Sequence, residues 1–210
     1  MRELQKLAAN GHEYVDLGLP SGTLWATCNI GATKPEEYGD YFAWGETKPK
    51  SIYDWTTYKF VNGDFDKLTK YCNDSDWGNN GFTDNLTSLE SGDDAATANW
   101  GSDWCMPTKE QWKELLENTT DEWTMQNGVK GRLFTSKKNG KSLFLPAAGR
   151  RWGGELGSVG SYGSYWSSSL DTDYPSRAWY FYFDSGGYGM SYYYRYTGRS
   201  VRAVRSARQN

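Results

Sequence analysis

The chain has 210 residues and a net charge of −3, and no Lys/Arg run exceeds two residues. That argues against nucleic acid or an anionic membrane as the main partner. Only 37% of residues are hydrophobic, yet 11 Trp, 16 Tyr and 8 Phe are present, so the core must be built mostly from rings. No apolar stretch approaches the roughly 20 residues of a membrane span, and Met1 to Ala9 lacks the apolar core of a signal peptide.

Taken in chain order, Tyr14, Val15, Leu17 and Leu19 read as a strand running to a turn at Pro20-Ser21-Gly22. Leu24, Trp25 and Ala26 start a second strand. Gly39 and Gly45 bracket a short apolar piece, Tyr41-Phe42-Ala43-Trp44. The stretch from Asn73 to Gly92 is rich in Asn, Asp, Gly and Ser and reads as a long irregular loop, the kind that is often functional. A short helix is expected from Asp93 to Trp100, capped by Asp93 or Asp94 and favoured by Ala95, Ala96 and Ala98. The clearest helix follows Pro107. Thr108 and Gln111 stand at capping-box spacing, and Trp112, Leu115 and Leu116 form one buried stripe. Asn118-Thr119-Thr120 ends it. Gly131 to Ser136 and Ser142 to Pro146 then flank Asn139-Gly140, a hairpin signal. Ser200 to Arg205 alternates apolar with polar or charged residues and reads as a last strand. No linker or internal repeat divides the chain, so one α+β domain is expected.

Much chemistry is excluded. The single histidine, His12, nearly rules out a His-dependent triad or a multi-His metal site. Cys28, Cys72 and Cys105 are an odd number with no C-x-x-C spacing; buried cysteines acting as small hydrophobes are the better reading. No nucleophile elbow, phosphate loop or dinucleotide fingerprint occurs. The one metal candidate is calcium, on Asp74, Ser75, Asp76, Asn79, Asn80 and Asp84, because oxygen ligands in a loop suit that ion. Their register does not match an EF-hand loop, and a solvated loop is the plainer reading.

The informative stretch runs from Asp171 to Thr197, with 8 Tyr in 27 residues against 8 in the other 183. Period-two alternation puts Trp179, Phe181 and Phe183 on one face of a strand and Tyr180, Tyr182 and Asp184 on the other. The first set should be core and the second should face water. Tyr192-Tyr193-Tyr194 cannot all point inward. Tyrosine with Ser, Gly and Asn is also the vocabulary of antibody-type binding surfaces. From Ser161 to Ala207 there is no Lys, Glu or Gln, although the first 160 residues carry 13, 11 and 3 of them. Strand physics does not separate Asp from Glu so sharply; a rule acting on codons would.

Several stretches resemble a known family. They are Val15 to Ala26, Glu36 to Glu46, Asp94-Ala95-Ala96 with Asn99-Trp100-Gly101, Trp104 to Thr108, Phe144 to Gly149 and Tyr165-Trp166-Ser167-Ser168-Ser169. In their order they resemble the Fibrobacter succinogenes-type major paralogous domain, common in gut Bacteroidetes and their phages. The resemblance implies a C-type lectin-like α+β fold of the formylglycine-generating-enzyme-like branch, with two helices around short antiparallel sheets. It places an amino-terminal extension at residues 1–12 and a single domain at 13–207, and pairs Tyr14 to Leu19 with Ser200 to Arg205.

The carboxyl-terminal part is similar to the variable region, about 165–205, of target proteins of diversity-generating retroelements. Adenine mutagenesis there often falls in AAC codons, which cannot yield Lys, Glu, Gln, Met or Trp. What this implies is a binding protein and not an enzyme, on a cell surface or a phage particle. Its partner would be a protein or glycan receptor, without nucleic acid or membrane insertion, and with oligomers allowed. The implied ligand-binding set is Asp171, Thr172, Asp173, Tyr174, Ser176, Arg177, Tyr180, Tyr182, Asp184, Gly187, Tyr188, Ser191, Tyr192, Tyr193, Tyr194, Tyr196 and Thr197. A calcium-dependent lectin or undiversified adhesin is the alternative, although the Glu-Pro-Asn, Gln-Pro-Asp and Trp-Asn-Asp motifs of such lectins are missing. A formylglycine-type oxidase would need a close cysteine pair, which the spacing does not suggest.

Overall fold

The computed structural model describes residues 7–206. Residues 1–6 of the expected extension, and Ala207 at the expected domain end, lie outside them. A small hairpin of β1 (Ala8–Ala9) and β2 (His12–Val15) leads to β3 (Leu24–Asn29), which pairs antiparallel with β2. From residue 30 to 94 the chain makes isolated bridges and two short 3-10 turns. Helix α1 (Ala95–Trp100) starts where the Asp94 carboxylate accepts from the amides of Ala96 and Thr97, at 2.9 and 3.0 Å. Helix α2 (Lys109–Asn118) starts at a reciprocal capping box: the Thr108 hydroxyl accepts from the Gln111 amide, and the Gln111 side chain accepts from the Thr108 amide.

Strand β4 (Thr119–Gln126) follows without a break and forms a meander with β5 (Val129–Ser136) and β6 (Ser142–Pro146). The β4–β5 turn is Asn127-Gly128, both at positive φ (48° and 83°), the backbone that a two-residue hairpin of this hand requires. A second hairpin, β7 (Arg150–Trp152) and β8 (Glu155–Gly157), precedes β9 (Gly163–Leu170), β10 (Arg177–Phe183) and β11 (Tyr188–Tyr194). These last three form one antiparallel sheet in the order β11-β10-β9. Strand β12 (Arg202–Arg205) closes the chain against β3.

The expected α+β, C-type lectin-like architecture is corrected. Among the described residues strands make up 38% and helices 11%, in four small antiparallel sheets with two α-helices. The fold is β-rich. Both helix signals were real, but the elements are only 6 and 10 residues long. The stretch after α2, for which no element was expected beyond the helix end at Asn118-Thr119-Thr120, is an eight-residue strand, Thr119–Gln126. The terminal pairing is also corrected. Strand β12 lies beside Leu24–Asn29, with Arg205 opposite Leu24 and Val204 opposite Trp25, and not beside Tyr14–Leu19.

The core lies on both sides of the β9–β10 pair. On one side Phe181 and Phe183 join Trp112, Phe134 and Trp25; on the other Ala178 and Tyr180 join Trp166, Trp44 and Tyr71. Burying a phenylalanine such as Phe181 or Phe183 contributes about 1.5–3 kcal/mol. Phe181 stacks on Trp112 with centroids 4.8 Å apart. Three arginines, Arg195, Arg199 and Arg202, are fully buried. Arg195 ties the segment after β11 to the irregular loop. It donates to the Tyr58 hydroxyl at 2.9 Å and to the carbonyls of Tyr71, Pro175 and Lys70 at 3.0, 2.7 and 2.9 Å.

Candidate functional site

Register decides which tyrosines meet. Strand β11 pairs with β10 so that Tyr192 faces Trp179, Tyr188 faces Phe183 and Tyr194 faces Arg177, while Tyr193 faces Ala178 and Ser191 faces Tyr180. Directly opposite residues share a sheet face, so the triple tyrosine straddles the sheet. Strand β10 has a neighbour on each side, whereas β11 is an edge. Tyr174, Tyr188, Tyr192, Tyr193 and Tyr194 are accordingly the exposed tyrosines, at 38–48% of full accessibility.

The expected split of β10 into a core face and a display face needs correction. Phe181 and Phe183 are buried, but so is Tyr180, and Trp179 is half-exposed. The Tyr180 ring lies 3.6 Å from the Arg199 guanidinium, and its hydroxyl is 3.4 Å from that of Tyr162. Both faces of β10 carry buried side chains, and the exposed tyrosines stand on β11 and on the loop before β10.

On the first face a chain of rings and cations runs across the surface. Phe65 meets Trp77 at 5.8 Å and Trp77 meets Tyr174 at 6.0 Å. Arg177 lies between the rings of Tyr174 and Tyr192, at 3.9 and 4.4 Å. Tyr192 packs edge-on against Trp179 at 5.2 Å, and the Lys109 ammonium sits 4.9 Å over Trp179. Arginine between two tyrosines is a cation–π arrangement that holds both rings upright. Arg177 also makes an ion pair with Asp171 at 3.3 Å. The pair falls short of hydrogen-bond geometry, and burial pushes the Asp171 carboxyl up despite the arginine. The polar loop braces this side, because the Asn73 amide donates to the Thr172 carbonyl at 2.8 Å.

On the second face Tyr193 lies between two guanidiniums, Arg199 at 5.4 Å and Arg150 at 5.9 Å. Arg199 donates to the Ser164 hydroxyl, while its Nε and Nη2 meet no acceptor. Burial pushes the Arg199 guanidinium down to about 10; the Arg150 charge adds to that fall, and the Tyr180 and Tyr162 phenols oppose it. At the end of β11, Tyr194 stacks on Tyr196 at 5.9 Å, and Trp55 packs edge-on against both, at 5.7 and 4.9 Å.

The implied binding set is thus spread over several environments. Thr172, Asp173, Tyr174, Asp184, Tyr188, Tyr192, Tyr193 and Tyr194 are exposed; Arg177, Tyr182, Gly187, Ser191 and Tyr196 are half-buried; Asp171, Ser176, Tyr180 and Thr197 are buried. The candidate calcium loop spends its carboxylates locally. Asp84 accepts from the amides of Tyr71, Cys72 and Leu86, and Asp74 from that of Asp76. No group of three or more His, Cys, Asp or Glu that could hold a metal stands together among the described residues. Cys28, Cys72 and Cys105 are all free thiols, and His12 stacks on Trp100 at 3.8 Å.

Arg150, Trp152, Trp55 and Trp77 escaped the sequence reading. Each reaches the surface beside the tyrosines from a remote part of the chain, and nothing local marks them. A family model described as a domain of unknown function (DUF8237) matches residues 115–204. No curated protein and no solved structure matches the chain. The matched stretch runs from inside α2 to β12, so what the chain is similar to, over that span, includes the whole tyrosine-bearing sheet.

Proposed function

We propose that this is a binding protein that grips a macromolecular receptor through the tyrosine-rich edge of the β9–β10–β11 sheet. The observation that carries the reading is the clustering of five exposed tyrosines on β11 and on the loop before β10. Tyrosine offers large contact area with only two torsions to freeze, and Tyr, Trp and Arg are the commonest interface anchors. Tyr174, Arg177, Tyr192 and Trp179 already hold one another in place, so little side-chain freedom remains to be lost on binding. The receptor is a protein or a glycan on a cell surface, and the protein works there or on a phage particle without catalysis. The absence of Lys, Glu and Gln from residues 161–207 supports diversification of this edge at the codon level, by a retroelement.

The test is selection. A library randomised at Tyr174, Tyr188, Tyr192 and Tyr194 is displayed and panned against a purified protein target. The reading expects folded binders whose sequences depend on the target. Loss of fold across the library, or no enrichment over a library randomised on β4, overturns it. Sequencing the DNA beside the gene tests diversification separately. A near-copy of the last coding segment, differing mainly at adenines and next to a reverse transcriptase, is expected; a locus without one removes that part.

A further inference from the structure

Beside Tyr193, on the face opposite Tyr174 and Tyr192, lies a recess of about 160 Å³ lined by Arg150, Trp152, Tyr193, Tyr196 and Thr197. Pockets for drug-sized ligands run to roughly 300–1,000 Å³, so this one suits a single ring. Thr197 donates its one hydroxyl proton to the Tyr194 carbonyl at 2.8 Å, so it offers the recess no donor. What remains is three aromatic rings and one cation.

Trp152 and Tyr193 keep 41% and 39% of their accessibility. The Trp152 indole lies against Gly157, where a Cβ would come within 2.3 Å of the ring. It is therefore a flat platform held by the β7–β8 hairpin. The Arg150 guanidinium stands 5.4 Å from the Trp152 ring and 5.6 Å from the Tyr162 ring. Among the described residues no carboxylate pairs with Arg150 and no acceptor takes its N–H groups. Arg199, also without a carboxylate partner, adds a second positive charge behind the Tyr193 ring. Asp54, whose charge reaches Tyr196, has its Oδ1 engaged by the Thr56 hydroxyl and the Thr57 amide.

We infer that this recess binds an acidic sugar, with the sugar ring against Trp152 and Tyr193 and its charged group toward Arg150. The electrostatics select this class. Aromatic faces are negative, so they repel a bare carboxylate and attract the polarised C–H groups of a saturated ring. An unpaired guanidinium at one end then supplies charge-assisted hydrogen bonds to an acid borne on that ring. A flexible Asp or Glu side chain from a protein would leave the platforms unused. The recess shares Tyr193 and Tyr196 with the proposed binding set, but it stands whether or not the opposite face takes a receptor.

The full chain is titrated, with chelator present, with a disaccharide ending in glucuronic acid, with its glucose-ended counterpart, and with a short Glu-containing peptide. The acidic disaccharide is expected to bind at least about tenfold more tightly than either other probe, and to weaken as salt rises. Arg150→Met, which keeps the apolar stem, should erase the difference between the two sugars, and Trp152→Ala should weaken both. Equal affinity for the two sugars, no sugar binding, or equal binding of the peptide overturns the inference, as does a ratio unchanged in Arg150→Met. Should a variant fail to fold, the wild-type ratio and its salt dependence decide alone. The receptor library above leaves Arg150, Trp152 and Tyr193 untouched, so the two ideas fail separately.

Discussion

Strands β10 and β11 are neighbours with nearly the same vocabulary, yet they do opposite work. Strand β10 reads Arg-Ala-Trp-Tyr-Phe-Tyr-Phe, with Phe181 and Phe183 fully buried and Tyr180 only 6% exposed. Strand β11 reads Tyr-Gly-Met-Ser-Tyr-Tyr-Tyr, and its four tyrosines are all exposed. The difference is place, not residue type. One strand is flanked on both edges and packed on both faces. The other ends the sheet. A tyrosine is core or display according to how many neighbours its strand has, and the edge strand carries neither proline nor charge to shield it.

Substitutions can break that contrast. The largest effect is expected at Phe181→Ala, which empties a site between Trp112 and Phe134 and should cost about 3–5 kcal/mol in denaturant unfolding. A cost near zero would mean that β10 is not the structural strand. Arg195→Leu comes next. It leaves the buried carbonyls of Tyr71 and Pro175 and the part-buried carbonyl of Lys70 without their donor, and takes a donor from the Tyr58 hydroxyl, which keeps its bond to the Trp44 carbonyl; it should cost about 3 kcal/mol. It should also loosen the loop beneath the display edge, seen as faster amide exchange around residues 58–71.

Asp93→Asn sharpens the comparison at the loop itself. Burial acts to raise the Asp93 carboxyl, but hydrogen bonds from Lys59, Lys70 and Tyr71 outweigh it and hold the group below its usual value. A depressed carboxyl stabilises the fold fully above its unfolded pKa of about 3.9 and loses that contribution as pH falls through the folded value. The variant should therefore be about 1–3 kcal/mol less stable at neutral pH, with the gap closing below about pH 4. A gap that widens in acid would contradict the assignment. Tyr192→Ala should do least to the fold, under about 1 kcal/mol, yet cost about 2 kcal/mol or more in binding to a selected receptor. Calorimetry on one preparation reads both numbers.

The parts of this molecule that were legible were local. Thr108 with Gln111, and Asp94 before the alanines, announced both helices because a cap is written within four residues. Asn139-Gly140 announced one hairpin. The equivalent Asn127-Gly128 went unread because the strand before it, Thr119–Gln126, is polar on most of its surface. Burial of Tyr180 was not legible, because it depends on Arg199, which lies beyond β11 in the chain and bonds to Ser164 on β9. The partner of β12 and the edge position of β11 are likewise products of topology. So is the recess at Arg150 and Trp152, which exists only because the β7–β8 hairpin lies beside Tyr193.

The most direct test is a saturation scan of residues 171–205 read by protease resistance of the displayed chain. The account predicts that Tyr174, Tyr188, Tyr192, Tyr193 and Tyr194 accept most residues without losing resistance. Tyr180, Phe181, Phe183 and Arg195 should accept few. If the tyrosines of β11 prove as intolerant as Phe181, they are part of the core, and the division between a structural strand and a display strand is wrong.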